Sequence, residues 1–374
     1  MKNLPLSEKK NAILNRLKKG GTVAKTAPLP KRSLEKPAFL SYAQQRMWFL
    51  DQLIPGMATY HCPIGYRIRG KLDIVAVREV LNQIIQRHES LRTSFPMKDG
   101  NVYQEVAPKY LLPLEVFEIT GDDRENEVQK KMDEFIQLPF NLEKGPVIRA
   151  KVFRVSPEDH RVVLVVHHIQ FDAWSLELFD SEFVTLFEQY CEGKPFSLPE
   201  LKVQYPDYAV WQREGLSEEV LKSQSQYWKK KLGGELEMLQ LPFDFPRESI
   251  QSFKGQCMTF ALSSELTLSL KELAAQENAS LFMVLMAGLN GFLSRYSGQK
   301  DILIGNPISG RSRSELEPLI GLFVNTVVLR TSLEGNPTIR EILSRVKETA
   351  FQAYENKDIP FEKLVEDIQP NRSL

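Results

Sequence analysis

The segment His167-His168-Ile169-Gln170-Phe171-Asp172-Ala173-Trp174-Ser175 sets two of the chain's five histidines side by side, with a carboxylate shortly after them. An imidazole titrates near neutrality, so it can take a proton from an attacking amine, hydroxyl or thiol at physiological pH. Acyl transfer is the chemistry that suits one exposed imidazole near a carboxylate. Adjacent residues at a strand end point to opposite sides. One imidazole can therefore face a cleft while the other turns into the protein, which argues against a two-histidine metal site. A hydrogen-bonded core histidine is the bland alternative. Asp172 reads best as structural, a buried carboxylate that needs an arginine partner to offset its desolvation. No GxSxG elbow is present, and Cys62, Cys191 and Cys257 have no reactive-site context, so direct attack by the acceptor is favoured over a covalent acyl-enzyme.

The elements around this segment explain how it would be presented. Arg161 to Val166 is a continuous apolar and β-branched run, the pattern of a strand buried on both faces, and it leads directly into His167. Ser175 is a candidate cap for a following helix, with Phe179, Phe183, Leu186 and Tyr190 at helical spacing. The same grammar recurs elsewhere. Ile64 to Arg69 alternates like a half-buried strand, and Asp73 can cap a helix with Val77, Leu81, Ile84 and His88 on one face. Later, Ser264 and Ser280 open helices, Asp301 to Gly305 and Phe323 to Thr331 read as strands, and Ile339 to Tyr354 as a helix. Between the two halves, Lys194 to Pro246 is rich in Pro, Gln and Trp, with turn-like Tyr205-Pro206-Asp207 and Leu241 to Asp244. The expected organisation is a basic helix and linker over 1–37, an N-terminal lobe over 38–195, a lobe crossover over 196–246 and a C-terminal lobe over 247–374.

Composition narrows the partners. Lys+Arg and Asp+Glu both number 48, so no net field attracts nucleic acid or anionic lipid. The charge is nevertheless uneven: residues 1–36 carry ten Lys/Arg against Glu8 and Glu35, a balance of +8. Ser7 can cap a short helix bearing Ile13, Leu14 and Leu17, which Gly20-Gly21 would end; the arm reads as a solvated linker or as a docking appendage. Three widely spaced cysteines and the absence of a secretory signal fit a reducing, cytoplasmic location. The longest uncharged stretch, Asn278 to Ser294, is 17 residues with two asparagines and two glycines, and suits a buried helix better than a membrane span. Gly305 to Gly310 lacks the GK[ST] of a phosphate loop, and there is no GxGxxG or EF-hand pattern. Arg311, Arg313 and Arg330 either form a basic patch or are individually paired.

At His167 to Ser175 the chain resembles the condensation domains of nonribosomal peptide synthetases, whose signature is HHxxxDG. Five further motifs of that family occur in order. Ser41-Tyr-Ala-Gln-Gln-Arg-Met-Trp-Phe-Leu50 looks like SxAQxRxWxL, and Arg87-His-Glu-Ser-Leu-Arg-Thr-Ser-Phe95 like RHExLRTxF. Tyr205 to Trp211 is similar to YxDYAxW, Ile320 to Thr326 to IGxFVNT, and Lys357 to Glu362 to QDxPFE. The motifs run from Ser41 to Glu362, and the resemblance covers about residues 40 to 374.

This resemblance implies an α/β (α+β), two-lobe, chloramphenicol-acetyltransferase-like pseudo-dimer with a central tunnel, its C-terminal lobe incomplete because the final motif is missing at Leu374. It implies peptide-bond formation in which an acceptor amine attacks a donor thioester. Both substrates ride on the phosphopantetheine of donor and acceptor carrier proteins, with an adjacent adenylation domain in the synthetase and no cofactor, metal, nucleic acid or membrane bound directly. His168 corresponds to the residue that contacts the amine, as base or as positioner. His167 would be structural, and Asp172 would pair with Arg92 to fix the turn, supported by Ala173 and Trp174. Arg46, Arg87, Trp211 and Asn325 fall on positions that shape or close the tunnel. The opening motif looks most like the class joining two L-residues. Ala173 stands where the family usually has Gly, which would cost roughly 1 kcal/mol if the turn needs positive φ. Three alternatives remain: a catalytically reduced remnant or carrier-binding platform, an epimerisation domain, and a coenzyme A acyltransferase, although the DFGWG motif of the plant-type enzymes is absent.

Overall fold

The computed structural model describes residues 28–215, 218–246, 253 and 255–368. The helix expected after Ser7 lies outside them. Two compact units are distinguished: the larger comprises described residues 28–215 together with 309–324, the smaller 218–308 and 325–368. The larger unit therefore extends well past residue 195 and recovers a short segment from late in the chain.

In the larger unit the order is β1 (Ala38–Phe39), α1 (Tyr42–Leu53), β2 (His61–Arg69), α2 (Ile74–Arg87), β3 (Thr93–Ser94), β4 (Met97–Lys98), β5 (Asn101–Val106), β6 (Leu114–Glu118), α3 (Arg124–Gln137), β7 (Ile148–Ser156), β8 (Asp159–His167), α4 (Ala173–Cys191) and α5 (Tyr205–Glu214). Its main sheet runs β2-β8-β7-β6, and β5 pairs with β1, β3 and β4 in a smaller one. β8 is central, and its side chains from His160 to His167 are all buried, as its unbroken apolar run predicts. Val162, Leu164 and Val166 pack against α2 and α4 through Val80, Leu81, Ile84 and Phe179. Val163 and Val165 face the other way, toward Val128 and Phe135 of α3. The period of two along β8 thus joins two helical layers through one strand.

The helix entries follow from capping. Asp73 accepts from the backbone N–H groups of Val75 and Ala76, and Val77, Leu81 and Ile84 line the buried face of α2 as their spacing predicts. Tyr205-Pro206-Asp207 is not a turn. It is the first turn of α5, where proline costs no hydrogen bond, and Asp207 accepts from the N–H of Gln204 in a capping box.

The smaller unit contains α6 (Glu218–Lys231), α7 (Ser264–Gln276), α8 (Leu281–Ser297), β9 (Asp301–Ser309), β10 (Val324–Ser332), α9 (Ile339–Glu355) and α10 (Phe361–Ile368). β9 and β10 form a two-stranded sheet whose Ile302, Val327 and Leu329 pack with Trp228, Ala287, Leu343, Val346 and Ala350. α7 is capped by Ser263, one residue before the expected Ser264. Ser280 caps α8, and the helix stops at Gly298, whose φ of +75° suits glycine. The uncharged stretch is thus a capped helix, and among the described residues no helix is long and apolar enough to cross a membrane.

Candidate active site

β8 ends at His167, a 3-10 turn covers His168–Gln170, and α4 begins at Ala173. This turn sends the two imidazoles into different surroundings. His167 is 1% exposed, and its Nδ1 accepts the backbone N–H of Ile169 at 3.1 Å, so the neutral ring carries its proton on Nε2. Burial pulls its pKa down to about 3, assisted by His61, His168 and Arg149, so the ring stays neutral at physiological pH. Phe140 meets it edge-on at 5.9 Å, and the Arg149 guanidinium lies 4.0 Å from the Phe140 centroid while donating to the carbonyls of Ile136 and Leu138. His167 is accordingly part of the packing behind the turn.

His168 is partly exposed. Its Nδ1 lies 2.5 Å from the carbonyl oxygen of Phe171. A carbonyl can only accept, so Nδ1 donates to it, and in the neutral ring the lone pair is on Nε2. The two neighbouring rings thus differ in burial, one enclosed and the other partly exposed.

Asp172 is 3% exposed, and both of its oxygens are multiply hydrogen-bonded. Arg311 approaches bidentately, Nη1 to Oδ2 at 2.7 Å and Nη2 to Oδ1 at 3.1 Å. Ser175 donates its N–H to Oδ1 at 2.8 Å, and Phe323 its N–H to Oδ2 at 3.0 Å. The Ser175 hydroxyl proton is shared between Asp172 Oδ1 and the Gly321 carbonyl, while the oxygen accepts from the N–H of Gly321 at 3.0 Å. Arg311 also donates to the Leu319 carbonyl, and its guanidinium lies 4.1 Å from the Phe323 ring centroid. These bonds stitch segment 309–324 to the start of α4.

Three sequence expectations are corrected here. Asp172 pairs with Arg311, not with Arg92, which immediately precedes β3 and donates to the carbonyls of Ala107 and Gln86. Arg92 is committed to carbonyls on either side of β3 to β5, whereas Arg311 enters beside Phe323. The cap of α4 is Asp172, with Ser175 one turn inside. Ala173 is the first residue of α4, is exposed, and is not among the residues with positive φ, so its methyl group carries no backbone strain.

The remaining candidates are distributed. Trp174 is 42% exposed, with its indole N–H fixed on the Glu317 carbonyl at 3.0 Å. Arg46 is exposed on α1, and Arg87 is bonded to Glu182 of α4 at 2.9 Å. Trp211 on α5 packs near Tyr208, with the Arg313 guanidinium 5.6 Å from its ring centroid. Asn325, in the smaller unit, donates to the carbonyls of Lys357 and Ile359 and accepts from the N–H groups of Thr326 and Phe361, clamping the start of α10. Arg311, Arg313 and Arg330 are each paired with a carboxylate, Asp172, Glu315 and Asp301 respectively. Among the described residues no cluster of His, Cys, Asp and Glu could hold a metal ion.

Two features were missed in the sequence. Arg311 lies 139 residues from Asp172, and no spacing rule links them; only the need of a buried carboxylate for a counter-ion pointed to an arginine. A buried amide chain was also invisible: Gln44 of α1 donates to both Gln104 and Gln170 at 3.2 Å, tying the 3-10 turn to α1.

Comparison with known proteins gives one answer. The family model described as Condensation domain matches residues 35–374. Two linear gramicidin synthase subunits of Brevibacillus parabrevis are 46% and 42% identical, over 90% and 96% of this chain respectively. The chain spans only 6% and 5% of those relatives' lengths. Among solved structures, the X-domain from teicoplanin biosynthesis aligns with a TM-score of 0.83 at 27% identity, covering 93% of this chain and 77% of that one. The first condensation domain of the CDA synthetase aligns with a TM-score of 0.74 at 20% identity, covering 89% and 79%, and shows a shared fold. The family model and these relatives therefore place the chain, with its histidine turn and buried aspartate, in the condensation-domain family.

Proposed function

We propose that the chain joins a donor acyl group to an acceptor amine in nonribosomal peptide biosynthesis, both substrates arriving as thioesters on the phosphopantetheine arms of carrier proteins within a synthetase that also holds an adenylation domain. The observation that carries this reading is the single imidazole whose Nε2 lone pair is left available by the Phe171 carbonyl, on a turn anchored through Asp172 and Arg311. The kinship with the linear gramicidin synthases supports the same chemistry.

In this reading the acceptor amine attacks the thioester carbon, the C–N bond forms, the C–S bond breaks, and the departing thiolate takes up a proton. His168 Nε2 receives a hydrogen bond from the attacking amine and either accepts its proton or holds it in line; a thioester is already activated, so alignment supplies much of the rate. His167, neutral and buried, shapes the turn from behind. Asp172 and Arg311 hold the turn's exit, and Trp174 presents an exposed, immobilised indole beside it. Arg46, Arg87, Trp211 and Asn325 act through packing and backbone clamping.

The test is to load two carriers with different aminoacyl groups and weigh the acceptor carrier after incubation with the polypeptide that bears this sequence, in deuterated buffer. A gain of one aminoacyl residue with no α-carbon deuterium supports condensation. Deuterium at the α-carbon without amide formation would make the protein an epimerase. The solved X-domain is described in complex with OxyB, which favours one second reading, a docking platform; carrier binding with no product from wild type and His168→Ala alike would establish it.

A further inference from the structure

The segment preceding the family match carries a feature that the linker reading did not anticipate. Leu29 is 4% exposed and packs among Val203, Tyr205, Tyr208, Leu316, Leu319 and Phe323. Three residues later, Arg32 reaches two carboxylates: Nη1 to Asp207 Oδ1 at 2.8 Å and Nη2 to Glu89 Oε2 at 2.8 Å. Its backbone N–H donates to the same Asp207 oxygen at 3.1 Å. The Arg32 and Asp207 side chains are 10% and 5% exposed, so this is a largely desolvated pair and not a surface contact that water would screen. Beyond it, Ala38–Phe39 is fixed by pairing with β5. The condensation-domain match begins at residue 35, so Leu29 and Arg32 lie outside it.

What the clasp holds gives it a function. Asp207 lies in the first turn of α5 and accepts from the N–H of its cap residue Gln204, Glu89 belongs to the turn after α2, and the Glu89 N–H donates to Gln204 at 3.1 Å. Leu29 leans on Leu316 and Leu319, the carbonyl of Leu319 receives Arg311, and Tyr205 of α5 donates to the Leu322 carbonyl at 2.6 Å. Phe323, next in the chain, gives its N–H to Asp172. Every link from Arg32 to the histidine turn is thus a packed apolar contact or a hydrogen bond between buried or partly buried groups.

We infer that Leu29–Arg32 is a clasp that fastens the incoming chain to the larger unit, and that Arg32 is a positioning residue acting on the site through α5 and segment 316–323. Arginine suits the task because its planar fork serves both carboxylates at once, whereas a lysine ammonium is a single point charge. Whatever precedes residue 28 then departs from a fixed point, and loosening that point loosens the seat of Asp172. The positioning role rests on the reaction proposed above; the clasp does not.

The test compares wild type, Arg32→Gln and Arg32→Lys in the intact chain by hydrogen exchange and by carrier-to-carrier transfer. Wild type should protect amides in 28–37. Arg32→Gln should raise exchange in 28–37 and also in 314–323, leave β7 and β8 unchanged, and lower kcat at saturating carriers about tenfold with KM unaltered, within what a distant misplacement can cost. Arg32→Lys should recover part of both. Exchange in 28–37 as fast as a free peptide in wild type overturns the clasp. Changes confined to 28–37, with kcat unaltered, overturn the positioning role, as does protection lost evenly through the larger unit in both variants. If no transfer occurs in any form, the reaction reading fails while the exchange data still decide the clasp.

Discussion

Replacing Arg311 by methionine keeps most of the side chain's volume and removes its charge, leaving Asp172 buried with only its Ser175 and Phe323 donors. Both side chains of the pair are 1% exposed, so solvent screening cannot rescue the carboxylate. Breaking one side of such a pair costs about 3–5 kcal/mol, which for a unit of this size corresponds to a fall in melting temperature of about 6–20 °C. The loss should be smaller when Asp172 is changed as well, because the uncompensated charge is the main penalty. Arg311→Met, Asp172→Leu and the double variant, followed by thermal unfolding monitored through tryptophan fluorescence, form a double-mutant cycle. A coupling of at least about 2 kcal/mol is expected. Additive effects, or an Arg311→Met variant within about 1 kcal/mol of wild type, would show that the pair does not hold the turn.

Three further outcomes follow from the geometry. The folded protein holds His167 near pKa 3 while the unfolded chain titrates near its ordinary value, so the unfolded state binds the extra proton between those limits; stability should fall by about 1.4 kcal/mol per pH unit as pH drops from about 6.5 toward 3, and His167→Gln should flatten that slope in urea titrations. A Cβ on Gly321 would come within 2.0 Å of the Tyr205 ring, so Gly321→Ala should displace segment 319–323, lower transfer more than tenfold and destabilise the protein by about 1–3 kcal/mol; unchanged activity would mean that this segment does not seat the turn. Asn325→Asp cannot donate to the carbonyls of Lys357 and Ile359 and should cost about 1–3 kcal/mol with faster exchange in α10, as severe as Asn325→Ala despite its matched size; a benign Asn325→Asp would argue that only volume counts there.

The features legible in the sequence are those written in local periodicity. The run ending at His167 foretold the central strand, the spacing of Val77, Leu81 and Ile84 foretold the buried face of α2, and Asp73 and Ser280 cap the helices their side chains suggested. Opposite facing of neighbouring strand residues predicted that the two imidazoles would not share one side, and His167 is buried where His168 is partly exposed. Long-range pairing was not legible. Arg92 stood in a motif and was the natural partner for Asp172, yet the chain delivers Arg311 from 139 residues away; ion-pair choice depends on which backbone passes nearby, and no local pattern records that. Tyr205-Pro206-Asp207 misled because proline followed by aspartate marks a turn and a helix's first turn equally well. Arg32 looked like one of many exposed cations because its counter-charges, Glu89 and Asp207, are scattered along the chain.

The central claim is that the available Nε2 of His168 meets the reacting amine. Its most direct test is the single-turnover rate of dipeptidyl-carrier formation by wild type and His168→Ala, with carrier affinity measured in parallel. The account predicts a rate lowered by at least about a hundredfold, with carrier affinity and melting temperature unchanged because the side chain is partly exposed and outside the Asp172 network. A His168→Ala rate within about threefold of wild type, at equal carrier occupancy, would contradict it.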